Sequence, residues 1–167
     1  MTKIRLTAVA LASLLSATSP ALAGTCADVA AAYTRALAAD PGLPPILSGW
    51  DGGSGMPLMY MSDDGAISAN IACNPDRDVN TLRFEIDFAA GSQAKALASF
   101  ASAALAFSTA FDPQAKADDA AKSAAGVAAK SGKGAATLSL GATYSATIDA
   151  RQDADGSGKF RFSIKPN

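Results

Sequence analysis

Alternating hydrophobic and polar residues predict the strands of this chain. Leu82, Phe84, Ile86 and Phe88 alternate with charged residues, which is typical of a strand with one buried side and one solvent-facing side. The same period of two predicts further strands at 67–73 and 160–164 and one or two strands over 138–148, and an apolar run predicts a short strand at 58–61. Short turns separate most strands that follow one another along the chain, so the sheet should be antiparallel. Gly141 marks either a bulge or a tight turn, and the sequence leaves both open.

Helical spacing of apolar residues predicts three helices beside these strands. The first begins after Thr25, which can cap it together with Asp28, and buries Cys26, Val29 and Tyr33 on one face.

An apolar stripe predicts a second helix over 93–111, and Asp112-Pro113 predicts the start of an alanine-rich third helix that ends near residue 129. Its small side chains predict a peripheral element. The order α-βββ-αα-ββ predicts one α+β domain over 24–167, with an antiparallel sheet of about five strands and the helices packed on one face.

Residues 1–23 have the pattern of a cleaved secretory signal peptide. Lys3 and Arg5 precede an apolar run over 6–17, and Ala21-Leu22-Ala23 is a typical cleavage site. The run is too short to span the roughly 30 Å hydrocarbon core of a bilayer. We therefore expect Sec-type export of residues 24–167 to the bacterial periplasm or the extracellular space, with no transmembrane segment after cleavage.

The chain has only two cysteines, Cys26 and Cys73. A cysteine pair in an exported protein predicts a structural disulfide. Redox pairs usually lie close together, as in C-x-x-C, so a redox role is the weaker alternative. The bond would join the first helix to the second strand.

Charge and composition exclude several function classes. The 14 basic and 15 acidic residues give no electrostatic basis for a nucleic-acid partner. Because the chain has no histidine, Ser-His-Asp triads and histidine metal sites are excluded. The serines match neither G-x-S-x-G nor S-x-x-K. We therefore expect a protein that is not an enzyme and has no cofactor, with a hydrolase of unrecognised type as a further alternative.

Two binding hypotheses remain. The first is a non-enzymatic interaction module for an unknown protein, with a surface made of the polar sheet face and the loop 41–56; its candidate residues are Trp50, Arg83, Glu85, Lys159 and Arg161. The alternatives are a solvated face of weak ion pairs and a loop folded over the core edge. The second hypothesis is a carrier for a small apolar ligand, with a pocket between sheet and helix lined by Phe84, Phe88, Phe100 and Phe107.

One acidic segment resembles the start of a calcium loop. It contains Asp153, Asp155 and Ser157, but Ile164 occupies the twelfth position, where an EF-hand has its bidentate glutamate. A hairpin turn rich in Asp and Gly accounts for the same residues without a metal ion. We therefore predict no metal site there.

Overall fold

In the computed structural model, which describes residues 24–167, three helices and six strands follow one another along the chain. They are α1 (Cys26–Ala39), β1 (Leu58–Met61), β2 (Ile67–Cys73), β3 (Val79–Phe88), α2 (Gln93–Ser108), α3 (Ala117–Ser131), β4 (Lys133–Leu140), β5 (Tyr144–Gln152) and β6 (Gly158–Pro166). The predicted signal peptide at 1–23 lies outside the described residues. Within 24–167, none of the helices has the length and apolar character needed to cross a bilayer.

The six strands form one antiparallel sheet in the order β1-β2-β3-β6-β5-β4. Each half is a three-stranded meander, and the two halves join where β3 pairs with β6, with Phe84 opposite Phe162. The predicted α+β class, antiparallel sheet and helix-covered face are confirmed. The predicted count of about five strands is one too low because Gly141, with φ of 62°, lies in a turn that separates β4 from β5.

The core lies between one face of the sheet and the three helices. Inward residues of β3 and β6 meet aromatic residues of α2, and the Phe84 and Phe100 rings stack at a centroid distance of 5.8 Å. The Phe107 ring connects this group to Tyr33 of α1 at 4.6 Å. The alternating pattern that predicted β3 therefore supplies the sheet's contribution to the core.

The disulfide fixes α1 to the sheet as predicted. Cys26 and Cys73 are bonded, with their Cα atoms 6.2 Å apart. Thr25 and Asp28 form a capping box at the helix start, because each side chain accepts a hydrogen bond from the other residue's backbone N–H. The Cys26–Cys73 disulfide is compatible with an exported protein.

The third helix differs from its prediction in position and in role. It begins at Ala117 and not at Pro113, because the Asp112 carboxylate accepts a hydrogen bond from the Gln114 N–H at 2.9 Å and closes a turn instead of capping a helix. It is also not peripheral. Ala121, Ala124 and other alanines are buried where α3 packs on β4 and β5, since small side chains allow close approach.

Gly134 shows how close this approach is. A Cβ atom at Gly134 would overlap the carbonyl oxygen of Ala124 in α3. We expect Gly134→Ala to lower the free energy of unfolding by about 1–3 kcal/mol, since the helix must move away from the strand.

Gly126→Ala is the matched control, because a Cβ atom there has no neighbour within 4 Å. It should raise the free energy of unfolding by about 0.5–1 kcal/mol through helix propensity. Urea denaturation measures both. Equal stability of Gly134→Ala and the wild type would contradict the described helix–strand packing.

Candidate functional site

The face of the sheet opposite the helices is open and carries the polar side chains of the alternating strands. The register places these side chains in rows that run across the strands. In one row, Lys133 of β4 lies opposite Arg151 of β5, Arg151 lies opposite Lys159 of β6, and Lys159 lies opposite Asp87 of β3. Three consecutive members of this row are cations. We call Lys133, Arg151 and Lys159 the cation row.

The cation row is electrostatically unfavourable by itself. Directly opposite residues on antiparallel strands have Cβ atoms about 4.5–5.5 Å apart, and like charges at that distance destabilise the pair. Lys133 and Arg151 are exposed, while Lys159 is partly buried. Accessible cations of this kind can be complementary to the negative potential of a partner.

Two carboxylates of β3, Glu85 and Asp87, form ion pairs with cations at one end of this face. Glu85 accepts hydrogen bonds from the Arg83 side chain at 2.7 and 2.9 Å and from Arg161, and Lys159 Nζ lies 3.5 Å from its second oxygen. Lys159 also pairs with Asp87 at 3.2 Å. Burial alone would raise the pKa of Glu85, but the hydrogen bonds from Arg83 and Arg161 and the charge of Lys159 outweigh it, so the pKa lies below its ordinary value.

At the other end of the face, carboxylates compensate the positive charges less well. Arg151 pairs with Asp153 at 2.8 Å, but both side chains are largely exposed, and such pairs contribute little. Among residues 24–167, Lys133 takes part in none of the ion pairs described here. The half-buried Asp149 is the carboxylate on this part of the sheet, opposite Arg161 in the register.

A shallow groove of about 670 Å³ lies over these residues. It is lined by four cations and one carboxylate: Lys133, Arg151, Lys159, Arg161 and Asp149. Gly134 and Ala135 of β4 and Ala150 of β5 also line it. The groove thus has an excess of positive charge, although the whole chain has a formal net charge of −1. We call it the cationic groove.

The structure brings together four of the five residues predicted for a binding surface. Arg83, Glu85, Lys159 and Arg161 form one network of ion pairs on β3 and β6. Trp50 takes no part in it among the described residues. Its ring packs against the core, and its indole N–H donates a hydrogen bond to the Met56 carbonyl at 3.2 Å.

The loop 41–56 partly covers the core, since Leu43, Ile46 and Leu47 are buried. This burial supports a structural role for the loop.

Lys133 and Arg151 are the residues that sequence reasoning missed. Lys133 follows the glycine that ends α3, and Arg151 lies two residues before Asp153 of the acidic turn. Their importance depends on the pairing of β4 with β5 and of β5 with β6. The alternating pattern assigns each residue to a face but not to a neighbouring strand.

The four phenylalanines predicted to line an apolar pocket lie in the core. Phe84, Phe100 and Phe107 are fully buried, and Phe88 is nearly so. Their rings contact one another or the Phe160 ring, with centroids 4.7–5.8 Å apart. This packing favours a structural role for all four side chains.

The acidic turn between β5 and β6 uses its polar groups locally. The Asp155 carboxylate accepts hydrogen bonds from the Ser157 N–H and hydroxyl at 2.9 and 2.6 Å, and Asp153 is held by Arg151. Within residues 24–167, no group of three or more His, Cys, Asp or Glu side chains is placed to hold a metal ion.

No protein-family model, curated protein or solved structure matches this chain.

Proposed function

We propose that this protein is a non-enzymatic binding module exported to the bacterial envelope, and that its cationic groove binds an acidic peptide segment of a partner protein. The observation that carries this proposal is the cation row, in which Lys133, Arg151 and Lys159 lie directly opposite one another on neighbouring strands. A carboxylate placed over this row would relieve the repulsion among its members. The gain appears only in the complex, so it favours binding.

The edge of the sheet supports a peptide as the bound anion. β4 is the last strand in the sheet order and, among the described residues, pairs only with β5. After Lys133, its remaining seven residues carry no charge and include no proline. Edge strands of this kind can accept an extended peptide through main-chain hydrogen bonds. Acidic side chains of a peptide bound there could reach the adjacent cationic groove.

The lowered pKa of Glu85 does not fit a general-acid role for this carboxyl group. A carboxyl group that acts as a general acid at neutral pH needs a raised pKa. The pKa of Glu85 is instead lowered by the hydrogen bonds and charges that outweigh its partial burial. Glu85 therefore stays ionised at neutral pH and holds Arg83 and Arg161 in place.

A fluorescent peptide of alternating glutamate and serine tests this proposal. The protein is produced from the full chain and purified, and binding is followed by fluorescence anisotropy at low ionic strength. We expect saturable binding that weakens as salt is added, because the contacts are ionic. Lys133→Gln and Arg151→Gln should each weaken binding by about fivefold to tenfold, or roughly 1–1.4 kcal/mol.

Two controls separate this site from general charge attraction. Lys95→Gln and Lys116→Gln remove the same charge from exposed positions outside the groove, and both variants should bind the peptide as the wild type does. The second control is a peptide in which glutamine replaces every glutamate. Equal binding of the glutamine peptide, or equal weakening by all four substitutions, would contradict the proposal.

A further inference from the structure

Methionine is placed unusually in this protein. The chain has four methionines, and the three beyond Met1 are Met56, Met59 and Met61, within six residues of one another. All three are exposed, at 67%, 80% and 69%. Methionine commonly fills irregular gaps in cores. Here the core within residues 24–167 contains none, so packing does not explain why the methionines are clustered. We call these three residues the methionine cluster.

The strand geometry places two of the three thioethers side by side. Met59 and Met61 alternate with Tyr60 on β1, so both point to the open face, with their Cα atoms about 6.4–6.8 Å apart along the strand. They lie opposite Asn70 and Ser68 of β2 and line a groove of about 450 Å³.

The third thioether belongs to the segment that leads into this strand. The carbonyl of Met56 accepts the hydrogen bond from the Trp50 indole at 3.2 Å, which holds the backbone near the core edge. From there, Pro57 and Leu58 lead directly to Met59. Because methionine has three rotatable side-chain bonds, its sulfur can adjust to a ligand shared with the other two.

From this arrangement we propose that the methionine cluster is a binding site for a soft monovalent metal ion, Cu(I). Soft thioether ligands select Cu(I) over harder divalent metals. A thioether is neutral and needs no deprotonation before it coordinates a metal. Both cysteines are used in the disulfide, so these thioethers are the soft ligands that remain within residues 24–167.

The charges near the cluster do not prevent a cation from binding. Arg83 lines the same groove, but its guanidinium donates two hydrogen bonds to Glu85, at 2.9 and 2.7 Å. The Glu85 carboxylate, which also pairs with Arg161 and Lys159, offsets this positive charge in part, and solvent screens the rest because the Arg83 side chain is half exposed. The site also lies at β1, which is the opposite edge of the sheet from β4 and the cationic groove. Its test is thus independent of the proposed peptide binding.

Competition for Cu(I) with the chromophoric chelator bicinchoninate, under anaerobic conditions, tests the site. We expect the protein to withdraw one equivalent of Cu(I) from the chelator complex and to leave an equal amount of Zn(II) unbound. Each single substitution, Met56→Leu, Met59→Leu or Met61→Leu, should weaken Cu(I) binding by about tenfold or more. Leucine keeps the apolar character of the surface and removes only the sulfur, so the variants separate metal binding from apolar contact. Because the side chains are exposed, all three variants should have the same urea unfolding midpoint as the wild type.

Silver(I), a redox-stable probe of the same softness, locates the site. With methyl-labelled methionine, the signals of Met56, Met59 and Met61 should all shift on addition of one equivalent of Ag(I). Retention of all Cu(I) by bicinchoninate would overturn the proposal and leave a surface for an apolar protein partner. Unchanged Cu(I) binding by the triple leucine variant would overturn it too.

Discussion

Replacing both cysteines with alanine is expected to lower the free energy of unfolding by about 4 kcal/mol, because the disulfide closes a loop between residues separated by 47 positions. Cross-linking removes conformations from the unfolded chain, and the effect grows with the length of the loop. Alanine is preferred to serine at Cys26, since this side chain is fully buried and a hydroxyl there would need a hydrogen-bond partner.

Urea denaturation of the oxidised protein, the reduced protein and the Cys26→Ala/Cys73→Ala variant measures this effect. Reduction should destabilise the wild type by an amount similar to the double substitution and should leave the variant unchanged. If reduction does not move the wild-type unfolding midpoint, the disulfide does not supply the expected constraint.

Phe107→Ala should cost about 3–5 kcal/mol, the usual range for removal of a buried phenylalanine. Phe107 is fully buried, and its ring contacts rings of α1, β3 and β6. The centroid distances are 4.6 Å to Tyr33, 5.8 Å to Phe84 and 6.4 Å to Phe162. Removing the ring would therefore leave a cavity where α1, β3 and β6 meet.

Val127→Ala is the control for this prediction. Val127 is 50% exposed on α3, so its truncation should change stability by less than about 0.5 kcal/mol. Phe107→Leu keeps much of the apolar volume and should lose less stability than Phe107→Ala. If the alanine variant does not fold, the leucine variant can still be compared with the wild type. Chemical denaturation checks all three. A loss below about 1 kcal/mol for Phe107→Ala would contradict tight packing and would favour the apolar-carrier hypothesis.

Much of the fold could be predicted because its local patterns and its tertiary contacts agree. The alternation of Leu82, Phe84, Ile86 and Phe88 predicted both β3 and its buried side. Other signals have two physical outcomes. Asp112-Pro113 can begin a helix or close a turn, since the same carboxylate accepts a backbone N–H in both structures.

The candidate site was predictable only in part, because alternation assigns side chains to a face but does not pair distant strands. Arg83, Glu85, Lys159 and Arg161 were predicted on the polar side of their strands. The addition of Lys133 and Arg151 follows from the order of β6, β5 and β4 in the sheet. A different limit applies to the methionine cluster, since residues 58–61 are all apolar and no alternation indicates that Met59 and Met61 lie on the exposed side of the strand.

Backbone NMR of the labelled protein, titrated with the glutamate–serine peptide, tests the central claim most directly. If the peptide adds to the free edge of β4 and its carboxylates enter the cationic groove, amide shifts should concentrate in β4 and β5 and around Lys159 and Arg161. Amides of β4 should also exchange more slowly with solvent in the complex. Shifts spread over the helices, or confined to β1 with β4 unchanged, would contradict the claim.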